Sequence, residues 1–194
     1  MGEMMLERRA AAAQLLAGRA DDLLVVTGLG STTYDVAAAG DDDRNFYLWG
    51  AMGGAAMIGL GFALARPDKR VAVITGDGEV LMGMGSLATI GVQRPANLAI
   101  VVFDNGAYGE TGMQPSHTKT TADLVAVAKG CGIADAFAVE DEAALRALAQ
   151  RLRTFDATLF ARVRIASGEP PRVLPTRDGV HLKLRFQQAL GVNP

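Results

Sequence analysis

Cysteine is almost missing from this sequence. Cys131 stands alone, so no intrachain disulfide can form, and it has no basic neighbour to activate it as a nucleophile. A basic excess is missing too: 19 Lys and Arg face 21 Asp and Glu, a net charge of −2, without the cationic stripe that a phosphodiester backbone demands. Nucleic acid is therefore not an expected partner. Long apolar runs are also lacking. Glu7, Arg8, Arg9 and Arg19 interrupt the N-terminal stretch, and the richest segment, 50–65, is glycine-heavy and reads as the start of a buried helix. No membrane span is expected, and the expected location is the cytoplasm. The sequence has no G-x-x-x-x-G-K-[ST] phosphate loop. Thr33 occupies the third glycine position after Gly28 and Gly30, which argues against a dinucleotide fingerprint.

Glycine, by contrast, is abundant, at 23 of 194 residues against a background of about 7%. The glycines cluster after apolar runs, at Gly28/Gly30, 50–61, 76–91 and 106–112. Such clusters suit places where backbone approaches a ligand. The apolar runs "DLLVVTG", "RNFYLWG", "RVAVITG", "NLAIVVFDN", "ADAFAVE" and "ATLFARVRI" read as strands, and the segments between them as helices. One helix is expected over Met4–Ala17 and another from about Leu81 to Val92. Continuous β-branched runs alternating with helices predict an α/β fold, a doubly wound, mostly parallel sheet with helices on both faces. The whole chain, 1–194, is expected to form one domain with an extended tail from about residue 168 and a short closing helix, Val180–Leu190.

In an open parallel sheet, ligands sit at the carboxyl ends of the strands. Asp77 follows one predicted strand and Asn105 the next, with 26 residues between Gly78 and Asn105, the length of one helix plus one strand. Adjacent strands would bring both side chains to one place. With a main-chain carbonyl near Ala107 they make a partial oxygen shell suited to Mg2+, which completes its coordination with water and substrate phosphates. The glycines and the helix start beyond Gly78 would present N–H groups to those phosphates.

"GDGEVL…VVFDNGAY" resembles the cofactor and metal motif of thiamine-diphosphate-dependent 2-oxo-acid enzymes, and the likeness extends over most of residues 20–165. "LWGAMGG" resembles the turn that sets an apolar side chain, here Met52, beneath the bent cofactor, and "GLGSTT" resembles the loop that meets the diphosphate through Gly30, Ser31 and Thr32. Within the family, "DNGAYGETGMQPSHT" is similar to a segment of the sulfopyruvate decarboxylase beta subunits and of the matching half of phosphonopyruvate decarboxylases. Met113 replaces a glycine of that run, and Glu79 follows the GDG where a small residue is common.

The resemblance implies thiamine diphosphate and Mg2+ as cofactors, with Asp77, Asn105 and Ala107 on the metal. Cofactor contacts would extend over Gly50, Met52, Gly76, Gly78, Glu79, Tyr108 and Gly109, and Glu110 and His117 are the candidate catalytic groups. It also implies decarboxylation of a 2-oxo acid such as sulfopyruvate or phosphonopyruvate. A separate pyrimidine-binding (alpha) subunit would carry the glutamate that serves the aminopyrimidine, and self-association is expected. The alternatives are a lyase or ligase subunit with another 2-oxo acid, or a cofactor-binding module without turnover. Arg44, Arg94, His117 and Lys119 are the candidate cations for a second substrate anion. Asp41–Asp43 reads as a solvated turn and His181 as a surface residue.

Overall fold

A computed structural model describes residues 5–192. The chain opens with α1 (Arg8–Leu16), β1 (Leu23–Thr27), α2 (Ser31–Ala38), β2 (Asn45–Tyr47), α3 (Ala55–Ala65) and β3 (Arg70–Gly76). It continues with α4 (Asp77–Met82), α5 (Ser86–Gln93), β4 (Leu98–Asp104), and a small ladder of β5 (Ala107–Tyr108) and β6 (Gln114–Pro115). The remaining elements are α6 (Leu124–Gly130), β7 (Asp135–Val139), α7 (Glu142–Arg151), β8 (Leu159–Arg164) and α8 (Gly179–Ala189). The main sheet has six strands in the order β2-β1-β3-β4-β8-β7, all parallel.

Strand side chains alternate between faces, and both faces are dry. Leu23 and Val25 of β1, with Ala72, Ile74, Val101 and Phe103, pack on one side against Ala12 and Leu15 of α1 and Leu148 of α7. Leu24 and Val26, with Val71, Val73, Ile100 and Val102, pack on the other against Leu60 of α3, Ile90 of α5 and Leu124 of α6. Sheet order reverses between β1 and β3, so their following loops diverge to opposite faces and leave a crevice at the carboxyl edge.

The expected helix over 81–92 is broken into α4 and α5 by Gly83–Gly85. The cause is tertiary: Gly83 is pressed against the main chain of Gly53, where any Cβ would overlap the Gly53 carbonyl oxygen. The helix expected to include 51–54 begins only at Ala55, because Ala51 and Gly53 adopt positive φ in a turn. Asp41–Asp43 is also more than a solvated turn. Asp41 pairs with Arg185 of α8 at 2.8 Å, and Asp42 pairs with Arg19 at 2.6 Å and Arg44 at 2.8 Å. Phe186 of α8 packs on Phe46 and Phe62, with ring centroids 5.3 and 4.9 Å away, so the closing helix is fastened beside β2. His181 is exposed, as expected.

Candidate functional site

The β3–β4 register pairs Gly76 with Phe103, so Asp77 and Asn105 emerge side by side where the two strands end. A cavity of about 90 Å³, open to solvent, lies there. Leu29 of the β1–α2 loop and Ser31 and Thr32 of the first turn of α2 contribute to its wall, as do Gly76 at the end of β3 and Asp77, Gly78 and Glu79 of the first turn of α4. Met52 and the segment from Asn105 through Ala107, Tyr108, Gly109 and Glu110 complete the part anticipated from sequence.

α2 and α4 open on this cavity with glycines, Gly30 and Gly76, at their N-caps and no capping side chain. α3 and α5 also start on glycines without a capping side chain, whereas α1, α6, α7 and α8 are capped by Glu7, Asp123, Asp141 and Asp178. First-turn N–H groups left without side-chain acceptors, with the positive end of the helix dipole, suit an anion. The Thr32 hydroxyl is 3.1 Å from the Gly28 carbonyl and donates to it, so a ligand would meet the hydroxyl's lone pairs or the Thr32 main chain.

Asp77 is the electrostatic centre, only 2% exposed. The Ser116 hydroxyl donates to its Oδ2, and Thr118 Oγ1 stands 2.9 Å from the same atom. Thr118 also stands 2.8 Å from Asp104 Oδ1, and its single proton can serve only one carboxylate at a time. Asp104 is compensated by Arg162 at 3.2 Å and Arg164 at 3.5 Å and by the Gly106 N–H at 3.0 Å. Asp77 has no cationic side-chain partner among the described residues. Burial pushes its carboxyl above the usual range; the Ser116 hydrogen bond opposes this, and the neighbouring Asp104 charge adds to it. An uncompensated buried carboxylate is the donor that a divalent cation completes, and the Asn105 amide oxygen and Ala107 main chain stand on the same wall. The residues present therefore fit a metal-bridged diphosphate. Asn105 Oδ1 accepts the Ala107 N–H at 3.0 Å, which fixes the turn and leaves a second lone pair.

Tyr108 and Met52 flank the GDG. A Cβ on Gly78 would lie 2.5 Å from the Tyr108 ring and 3.7 Å from Met52 Cε. Met52 is 38% exposed, an apolar side chain on a cavity wall, and the preceding Ala51 holds a left-handed φ of 57°. Met113, which replaces a glycine of the family run, has φ 62°, a conformation that favours glycine. Glu110 lies against Gly30, 3.4 Å from Ser31 Oγ and 3.6 Å from Arg172.

Several expected residues lie elsewhere. His117 is exposed in a short 3-10 turn and does not line the cavity, and neither does Lys119. Gly50 is exposed, outside the cavity wall. Arg44 precedes β2 and Arg94 precedes β4, so both stand at the amino edge of the sheet, away from the cavity. Sequence reading missed Ser116 and Thr118, which the β5–β6 ladder folds back onto Asp77; two-residue strands have too short a period to be seen. It also missed Arg8, only 6% exposed, which lines the cavity while pairing with Asp35 at 2.6 Å.

A parallel sheet with a metal-suited carboxylate between two uncapped helix starts defines a diphosphate-cofactor-binding domain. The family described as thiamine pyrophosphate enzyme, C-terminal TPP binding domain, matches residues 28–163. The sulfopyruvate decarboxylase subunit beta of Methanothermobacter thermautotrophicus is 39% identical over 94% of this chain and 95% of its own length. The phosphonopyruvate decarboxylase of Streptomyces viridochromogenes is 46% identical over 64% of this chain, but the match spans only 31% of that protein. Benzoylformate decarboxylase from Polynucleobacter necessarius superposes with a TM-score of 0.72 at 21% identity, over 87% of this chain and 34% of that one, a likeness of fold. The chain belongs to the thiamine pyrophosphate enzymes as their C-terminal, cofactor-binding domain.

Proposed function

We propose that this chain is the diphosphate-side subunit of a heteromeric thiamine-diphosphate-dependent carboxy-lyase acting on a 2-oxo acid with a second anionic group, such as sulfopyruvate or phosphonopyruvate. The observation that carries this reading is Asp77: a buried carboxylate without a cationic partner among the described residues, beside Asn105, between two uncapped helix starts. The substrate class comes from the relatives, named as decarboxylases of those two acids.

When bound, thiamine diphosphate supplies the electron sink that lets a 2-oxo acid lose carbon dioxide. The chain's own residues bind and orient it. Asp77, Asn105 and the Ala107 carbonyl would hold Mg2+. The main chain at Gly30–Thr32 and Gly78 would receive the diphosphate oxygens, and Ser116 keeps the Asp77 carboxylate aimed. Met52 and Tyr108, both close to Gly78, would give the cofactor an apolar support and exclude water from its reacting end.

A second polypeptide would close the cavity and supply the carboxylic acid for the aminopyrimidine. Besides Asp77, which is assigned to the metal, the acids on this chain's cavity wall are Glu79, held by main-chain N–H groups, and Glu110, which faces Arg172 at 3.6 Å. Met52 on the cavity wall and Met57, Met82 and Met84 are exposed, apolar side chains available for assembly. No helix of the described residues is long and apolar enough to cross a membrane.

The test is to purify the chain alone and with the product of a neighbouring gene of similar size. Thiamine diphosphate, Mg2+ and a panel of 2-oxo acids are added, and carbon dioxide is measured. Turnover is expected only from the pair, and strongest with sulfopyruvate or phosphonopyruvate. Turnover by the chain alone, verified free of other protein by mass spectrometry, overturns the two-chain reading.

A further inference from the structure

Glu79 follows the GDG directly and lines the cavity, yet both of its carboxyl oxygens are taken up by donors of the chain itself. Its Oε2 accepts the Leu29 N–H at 3.0 Å and the Thr75 hydroxyl at 2.9 Å, and its Oε1 accepts the Ala55 N–H at 3.2 Å. The two main-chain partners, one in a loop and one at a helix start, are 50 and 24 residues away in sequence. Leu29 sits in the β1–α2 loop, immediately before Gly30, Ser31 and Thr32. Ala55 is the first residue of α3, whose N-cap is Gly54 without a capping side chain, and it follows the turn that carries Met52. Glu79 thus caps α3 from a distance and ties both loops to the end of β3.

The approach is built into the chain. A Cβ on Gly28 would overlap the Glu79 carboxylate and stand 2.6 Å from Thr75 Oγ1, so a side chain at residue 28 would push the clasp open. Glu79 is 5% exposed, and its acceptor oxygens face donors on three elements.

We infer that Glu79 is a positioning residue: its carboxyl group sets the spacing between the Leu29–Thr32 loop and the Met52 turn, and so fits the cavity to the diphosphate and to the cofactor's apolar support together. This rests on the cofactor reading above, and it removes Glu79 from the direct cofactor contacts. Glu79→Gln is the discriminating change. It keeps the size but replaces one acceptor oxygen with an NH2 group, which must face the N–H of either Leu29 or Ala55, donor against donor.

The experiment uses the full chain with its partner, and Phe186→Ala as a destabilised control distant from the cavity. Thiamine diphosphate with Mg2+ is titrated calorimetrically, and amide hydrogen exchange is followed in peptides covering 28–32 and 52–56. For Glu79→Gln we expect at least a tenfold loss of cofactor affinity and faster exchange in at least one of the two peptides, with exchange in the β3 and β4 peptides unchanged. Phe186→Ala should lower the melting temperature yet keep wild-type affinity. Should Glu79→Gln fail to fold, Thr75→Val, which removes one donor and leaves the carboxyl group, should still weaken binding and loosen peptide 28–32. Wild-type affinity and protection in whichever variant folds, or an equal affinity loss in Phe186→Ala, overturns the inference. A wild-type complex that does not bind thiamine diphosphate overturns the cofactor reading, and with it the proposed purpose of the clasp. Exchange in Glu79→Gln would then still tell whether the clasp exists.

Discussion

Ser116 and Asp77 lie 39 residues apart in sequence and meet in a hydrogen bond from hydroxyl to carboxylate. The ladder β5–β6 makes the meeting possible, and the Ser116 N–H bond to the Gly106 carbonyl at 2.9 Å holds it in register. The bond is made to Oδ2, and under the metal-site reading the rest of the Asp77 carboxylate would serve a cation. Such a group would favour binding at the expense of the unliganded fold.

Asp77→Asn should therefore leave the ligand-free chain as stable as wild type, or more stable by about 1 kcal/mol, because a buried uncompensated charge is removed. The same change should abolish Mg2+-dependent binding of thiamine diphosphate. Thermal unfolding and calorimetry on one preparation check both, and a destabilised variant that binds normally would contradict the metal-site reading.

Ser116→Ala should act more gently. The carboxylate remains but loses its orienting donor, so cofactor affinity should fall by about three- to tenfold, equivalent to about 0.7–1.4 kcal/mol, the range of one hydrogen bond. Titration at several Mg2+ concentrations separates this from simple unfolding, since raising the metal concentration should recover the binding.

Met52→Ala is expected to cost under about 1 kcal/mol of stability, because the side chain is 38% exposed, whereas a buried Met→Ala change costs about 2–5 kcal/mol. Turnover of the assembled enzyme should nevertheless fall about tenfold or more. A normal rate in a stable variant would take Met52 out of the site.

Arg8→Ala should destabilise by up to about 3 kcal/mol, since it removes the 2.6 Å partner of Asp35, 1% exposed, and leaves only Arg9 at 3.6 Å. Burial already pushes the Asp35 carboxyl up, against the pull of Arg8. The double change Arg8→Met with Asp35→Asn should recover most of that stability. Chemical denaturation of the three variants makes the comparison.

Acid should loosen the link between the β2 edge and the segment before β1. Burial raises the Asp42 carboxyl, but hydrogen bonds from Arg44 and the charges of Arg19 and Arg44 outweigh it and hold the group at about 2, below its usual 3.8. A depressed carboxyl contributes stability above its unfolded value and loses it as the pH falls toward the folded one. Asp42→Asn should thus be less stable than wild type at pH 6, with the difference shrinking between about pH 4 and 2. A gap that is constant across this range would mean that Asp42 acts through packing rather than charge.

Much of this molecule is written locally. The β-branched runs of β1, β3 and β4 specify buried parallel strands because only a sheet covered on both faces hides every side chain of such a run. Asp77 and Asn105, each placed at the end of its run, needed only strand adjacency to meet, and the spacing of one helix plus one strand implied it. Other features depend on partners distant in sequence. The break between α4 and α5 is made by the Gly53 main chain, and Asp41–Asp43 became an anchor only when α8 brought Arg185 to it. His117 follows Ser116 directly, yet it faces solvent while Ser116 is buried on Asp77, because the 3-10 turn separates neighbours that sequence proximity had grouped. Glu79 and Arg8 read locally as an oddity after a motif and as one of the charges interrupting an N-terminal apolar stretch. Their roles arise from burial and from which donors or carboxylates the folded chain sets against them, and pairings across 24, 27 and 50 residues are decided by tertiary packing, where no local periodicity reaches.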